Sequence, residues 1–160
     1  MRLESNNDMD LIVATHVLPR RDATIHESGH YVIGQKLGMP VQRPVIDDDR
    51  KGGFVRLAYP KHSTDFDHKA FIAAMPRAEL VDTAIAQTCM LLAGHAAEAR
   101  LCRSHWAQHY VIGDGTTDLD SAISTLKLAG LDDLLFDIWQ MARGCIDDHW
   151  PEIYDYAQTL

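Results

Sequence analysis

Apolar residues recur at helical spacing through most of this chain. Between Ala23 and Leu37, the residues Ile25, Val32, Ile33 and Leu37 supply a core face and predict a helix. Read from Arg20, that helix stops at Gly38-Met39-Pro40, where a glycine and then a proline end it. Arg77 to Arg103 predicts a long helix, with Leu80, Ile85, Leu91 and Leu92 inward and Ala93 to Ala99 as a close-packing surface. Asp118 to Ala129 places Leu119, Ala122, Ile123 and Leu126 on one side, and Leu131 to His149 turns Leu134, Leu135, Ile138, Met141 and Ile146 inward. Pro151 is expected to interrupt that last helix, leaving Glu152 to Leu160 as a short final one.

Strand signals are few. Pro44-Val45-Ile46 and Gly53 to Tyr59 are the candidates, the second weakly alternating and bounded by Gly and Pro. Asp47-Asp48-Asp49, followed by Arg50-Lys51, reads as a polar turn between them. Lys61 to Met75 is polar first and apolar later. His62, Ser63, Thr64, Asp65, Asp67 and His68 suit a mobile loop there, and Ser104 to Gly115 is a second loop carrying His105, Trp106 and His109. The expected class is mainly α with a small β element. The 160 residues make one domain over 20–160, preceded by an arm or helix over 1–19.

The chemistry concentrates at His26-Glu27-Ser28-Gly29-His30, an H-E-x-x-H sequence. On a helix, positions i and i+4 share a face, so His26 and His30 can turn two imidazoles toward one metal ion. Glu27 then stands beside the metal, where it can take a proton from water. Gly29 and Gly34 each cost the helix about 1 kcal/mol relative to alanine, which points to close backbone packing. Catalytic zinc usually has three protein ligands and one open position. The residues alone offer Glu98, Asp114, Asp118 and Asp120 as candidates for the third. A strand beside such a helix can pair with an extended substrate backbone, a role suggested for Gly53, Phe54, Val55 and Arg56.

Three blocks, in order, resemble the peptidase module of the FtsH-type membrane-anchored AAA proteases, the M41 zinc metallopeptidases. Ile25 to Tyr31 looks like the family's HEAGH helix, Leu92 to Glu98 like its GGRAAEE helix, and Gly113 to Ala122 like its G-A-x-N-D-L-x-x-A-T segment. Gly52-Gly53-Phe54-Val55 sits where the family has a turn leading into its active-site edge strand. The resemblance spans roughly Arg20 to Gly130 and implies a helical zincin-like M41 peptidase domain with a small β element near the active-site helix. It implies Zn2+ held by His26, His30 and Asp118, with Glu27 as the catalytic base and Glu98 as partner of a ligand or alternative ligand. The chain departs from the family at His95 (Arg there), Thr117 (Asn) and Ala99 (Glu).

The implied activity is zinc-dependent hydrolysis of peptide bonds. The chain has no G-x-x-x-x-G-K-[ST] and no apolar run of about 18 residues, so neither a P-loop motor nor a membrane segment is expected. Substrates would be peptides or unfolded protein segments, cleaved without ATP. The alternative is a non-catalytic or latent peptide- or partner-binding module that needs an oligomer or a separate ATPase. A homo-oligomer is open because the family works as a hexamer. A net charge of −8 argues against nucleic acid. Cys89, Cys102 and Cys145 form no disulfide framework, and Met1 to Asp10 has no secretory apolar core, so cytoplasmic residence is the default expectation.

Overall fold

A computed structural model describes residues 23–49, 52–58, 68–102 and 116–160, with backbone alone at 68–69, 102 and 116–117. Six α-helices carry these stretches: α1 (Ala23–Lys36), α2 (His68–Ala73), α3 (Arg77–Cys102), α4 (Thr116–Ala129), α5 (Leu135–Asp148) and α6 (Trp150–Ala157). A 3-10 turn, Asp132–Leu134, leads into α5, and strands β1 (Val45–Ile46) and β2 (Gly53–Phe54) form an antiparallel pair. The fold is mainly α, as expected. No helix among the described residues is long and apolar enough to cross a membrane.

The 26-residue helix α3 is the spine, about 39 Å long at 1.5 Å per residue. Helices α1, α4 and α5 all pack on it, and α6 packs on α1. From Gln87 to Ala99 every residue of α3 except Leu91 is buried. The alanines expected to pack closely do so: Ala93, Ala96 and Ala97 lie in the main core with Ile25, Ile33, Leu92, Leu126, Trp139 and Ile146. Gly29 admits α1 to this surface. A Cβ there would stand 2.7 Å from the Ala93 carbonyl oxygen and 2.9 Å from Ala97 Cβ, too close for any side chain.

Helix ends follow local chemistry. After α1, Gly38 takes φ +72°. Its N–H then bonds Gln35 O at 3.1 Å, and Met39 N–H bonds Gly34 O at 2.8 Å, a paired closure that a glycine permits. Pro151 lies in the first turn of α6 rather than interrupting a helix, because proline's missing N–H is no loss there. The break falls at His149, which ends α5 and precedes α6. The helix expected from Leu131 begins instead at Leu135, after the 3-10 turn. On α5, Ile138, Trp139, Ala142 and Ile146 are buried, while Met141, expected inward, is 37% exposed.

The strand expected over Gly53 to Tyr59 is shorter: Gly53 and Phe54 pair with Ile46 and Val45, and beyond them Val41 bridges Leu57. Three residues separate Val41 from Val45, but two separate Phe54 from Leu57, so the first strand carries one extra residue. That is the count of a β-bulge. Pro44 has no N–H to give to the ladder at that point, so regular pairing stops there. Expectations for 1–22, Tyr59, His62 to Asp67 and 103–115 lie outside the described residues.

Candidate metal centre

His26 and His30 lie one turn apart on α1 and both face α3. Each imidazole is held from behind. His30 Nδ1 donates to Met90 O at 2.7 Å, and His26 Nδ1 donates to Glu98 Oε1. Both anchors are on α3, so the close approach at Gly29 is also what seats the two rings. With Nδ1 carrying the proton, each neutral ring presents the lone pair of Nε2 outward.

Those two Nε2 atoms are 2.9 Å apart, and Asp118 Oδ2 lies 3.0 Å from the first and 3.2 Å from the second. Asp118 comes from the first turn of α4, as the sequence suggested. Three electron-rich atoms crowd to this distance only around a proton or a cation. Donor atoms about 2.0–2.1 Å from a tetrahedral zinc stand roughly 3.3 Å from one another, so the triangle fits such an ion with small adjustments. Gly94 keeps the space open. A Cβ at that position would sit 2.6 Å from His30 Nε2 and 2.7 Å from His26 Nε2.

The centre is enclosed except at Asp118. His26 is fully buried, Glu27 is 2% exposed and His30 5% exposed, whereas the Asp118 side chain is 25% exposed. Burial opposes charge on His26, but its hydrogen bonds to Asp118 and Glu98, and their negative charges, outweigh that and push the imidazole from 6.5 up to about 9. Burial likewise opposes the Asp118 carboxylate. Attraction to the facing imidazoles of His30, His26 and His95 overrules it and holds this acid far below the usual carboxylate range. Without metal, a proton on His26 therefore stands where a cation would.

Glu98 does not join the triangle of ligand atoms; it binds the opposite nitrogen of His26. Asp120 is exposed and takes no part, and Asp114 is outside the described residues. Glu27 faces the hairpin: a Cβ on Gly53 would come within 2.9 Å of its Cγ, so the bare backbone of β2 runs directly against the proposed base. Phe54 is exposed next to Gly53, and the Arg56 guanidinium lies 4.8 Å over its ring. Val55 and Arg56 follow β2 without extending it.

Sequence reasoning missed three contributors. The Met90 carbonyl carries no side-chain signal. Gly94 was visible only as one small residue among several. His95 was noted as a departure from the family and given no role, yet it is 3% exposed and its ring lies edge-on to His26, centroids 4.7 Å apart. Burial is the main reason its pKa lies below the ordinary value, so it is neutral near pH 7. Its spacing of three from Glu98, on one helix face, was the available signal. No family model matches the chain, and no curated protein matches it.

Proposed function

We propose that this protein is a zinc-dependent endopeptidase acting on peptides or unfolded protein segments. The observation that carries the reading is the convergence of His26 Nε2, His30 Nε2 and Asp118 Oδ2 to 2.9–3.2 Å, with Glu27 next in sequence to the first of these ligands. A zinc ion held by these three would supply Lewis acidity, lowering the pKa of bound water toward about 7 and polarising the scissile carbonyl.

The chain's own groups do the rest. Glu27 accepts a proton from water as the water oxygen bonds to the carbonyl carbon. As the C–N bond breaks, the same carboxyl gives that proton to the departing amine nitrogen. Glu98 and the Met90 carbonyl keep both imidazoles in the tautomer that offers Nε2. The backbone of β2 beside Glu27 is where an extended substrate would align, through Gly53, Phe54, Val55 and Arg56.

A second reading has a specific observation in its favour. Glu27 is 2% exposed, as a latent module opened by an oligomer or a separate ATPase would have it. Zinc-loaded wild type and Glu27→Gln, incubated side by side with casein, test both. Cleavage by wild type only, stopped by a chelator and reduced at least about 100-fold by the substitution, supports the peptidase. Stoichiometric zinc with no cleavage by either supports the latent module.

A further inference from the structure

Each ligand of the proposed centre needs a partner behind it. Ligating imidazoles and carboxylates hold their orientation through hydrogen bonds to groups farther out. His26 has Glu98, and His30 has the Met90 carbonyl. Asp118 has no such anchor among the described residues; its hydrogen bonds all go to His26 and His30, the other two ligands.

His95 is placed to be that anchor. It lies on α3 one residue after Gly94 and three before Glu98, and is 3% exposed. Its Nε2 is buried and makes no hydrogen bond, and it stands 3.5 Å from Asp118 Oδ2. Buried ring nitrogens rarely go without a partner unless something not yet in place completes them. A carboxylate oxygen has two lone-pair positions, so Oδ2 can direct one at an ion and keep the other for an N–H.

We propose that His95 is a positioning residue of the metal centre: its Nε2–H donates to Asp118 Oδ2 and holds that carboxylate on the ion. The proposal rests on the zinc reading above. It differs from a fourth-ligand role, which the arrangement disfavours. His26, His30 and Asp118 bring their ligand atoms within 4.8 Å of one another as one group, while His95 belongs to a second metal-capable group, with His26 and Glu98, in which the His26–Glu98 contact is already closed by a hydrogen bond. The ring thus lies beside the coordination position rather than around it. Metal binding would draw Asp118 in, turning the 3.5 Å approach into a hydrogen bond.

The test uses the full chain with His95→Gln, whose amide N–H reaches about as far as Nε2, and His95→Leu, which has no donor. Zinc affinity is measured by chelator competition, and coordination by the visible absorption of the cobalt-loaded protein. His95→Leu is expected to weaken zinc binding about 10- to 100-fold and to shift the cobalt bands, with His95→Gln restoring most of both. Wild-type affinity in both variants overturns the role. An equal loss in both also overturns it, because an amide replaces a donor but not an imidazole ligand. If His95→Leu does not fold, His95→Ala takes its place as the donor-less variant, and the same comparison with His95→Gln decides. Wild-type protein that takes up neither ion overturns the metal centre and this role with it. Failure of the His95 role alone leaves wild-type binding intact.

Discussion

Helices α1 and α5 have 14 residues each, and both pack on α3. Eleven residues of α1 are buried, among them His26, Glu27, Ser28 and His30; four of α5 are, none of them ionisable. Helix α5 is an ordinary amphipathic helix whose apolar stripe meets the core and whose other side is wet. Helix α1 is enclosed almost all round, between α3, α6 and the hairpin, and takes its polar groups inside. Burying ionisable groups is costly unless they are paired. For the histidines the pairs exist: Glu98 and Met90 O hold the rings from behind, and both Nε2 atoms converge with Asp118 Oδ2. The two regions thus separate what holds the fold together from what the fold is arranged to hold.

The largest expected effects separate these roles directly. Trp139 is fully buried in the α5 region, and Trp139→Ala should cost about 3–5 kcal/mol of stability. It lies on α5, which supplies neither a proposed ligand nor a ligand anchor, so zinc affinity of the folded fraction should stay near wild type. Gly94→Ala should do the reverse. Its Cβ would push against two imidazole nitrogens held in place by α3, so zinc binding should fall at least about 100-fold while much of the fold survives. Urea unfolding and zinc competition on both variants give the answer. Equal zinc affinity in Gly94→Ala and wild type would mean that the ion does not sit between the histidines.

The same contrast decides what could be read in advance. Ile138 and Ile146 were legible because α5 is half wet, and the period of its apolar residues reports its inner face. Met141 was misassigned, and Trp139 went unnamed, because the true stripe is narrow and runs through Trp139, Ala142 and Ile146. In α1, Ile25, Val32 and Ile33 mark an inner face, but burial extends round most of the helix, so periodicity does not single out the side that carries the chemistry. There the spacing of His26, Glu27 and His30 was informative, since only a helix brings those two rings together. Asp118 came from the order of motif blocks, because nothing local separates it from Asp114 or Asp120. His95 stayed hidden because a single histidine does not reveal where its nitrogen points. The bulge before Val45 was equally invisible, being a matter of register between two short strands.

Proton and metal should compete at His26. Its pKa in the metal-free fold, about 9, lies above the ordinary 6.5. Its charge therefore stabilises the metal-free protein fully below about 6.5, and that contribution is lost as pH rises through about 9. The ion must displace this proton, so zinc affinity should rise by about tenfold per pH unit within that window. Melting temperatures with and without chelator, taken from pH 6 to 9, should diverge as pH increases. Trp139→Ala should lower both curves and leave the divergence unchanged. A zinc affinity flat across this range would mean that His26 carries no displaceable proton.

The smallest effect is the cleanest comparison, because one chemical change is made on both helices. Gly144 of α5 is exposed within the helix, and a Cβ there would meet nothing within 4 Å. Gly144→Ala should therefore recover helix propensity, stabilising by about 0.5–1 kcal/mol and raising Tm by roughly 1–4 °C. Gly29→Ala adds the same methyl to α1, where it would meet the Ala93 carbonyl oxygen at 2.7 Å. Backbone cannot move aside as a flexible side chain can, so α1 must retreat from α3, at a cost of about 1–3 kcal/mol. That retreat would also draw His26 and His30 from Glu98 and Met90 O, so zinc affinity should fall with stability in Gly29→Ala and stay constant in Gly144→Ala. If both substitutions stabilise, α1 does not press against α3, and the close packing that seats the two histidines is wrong.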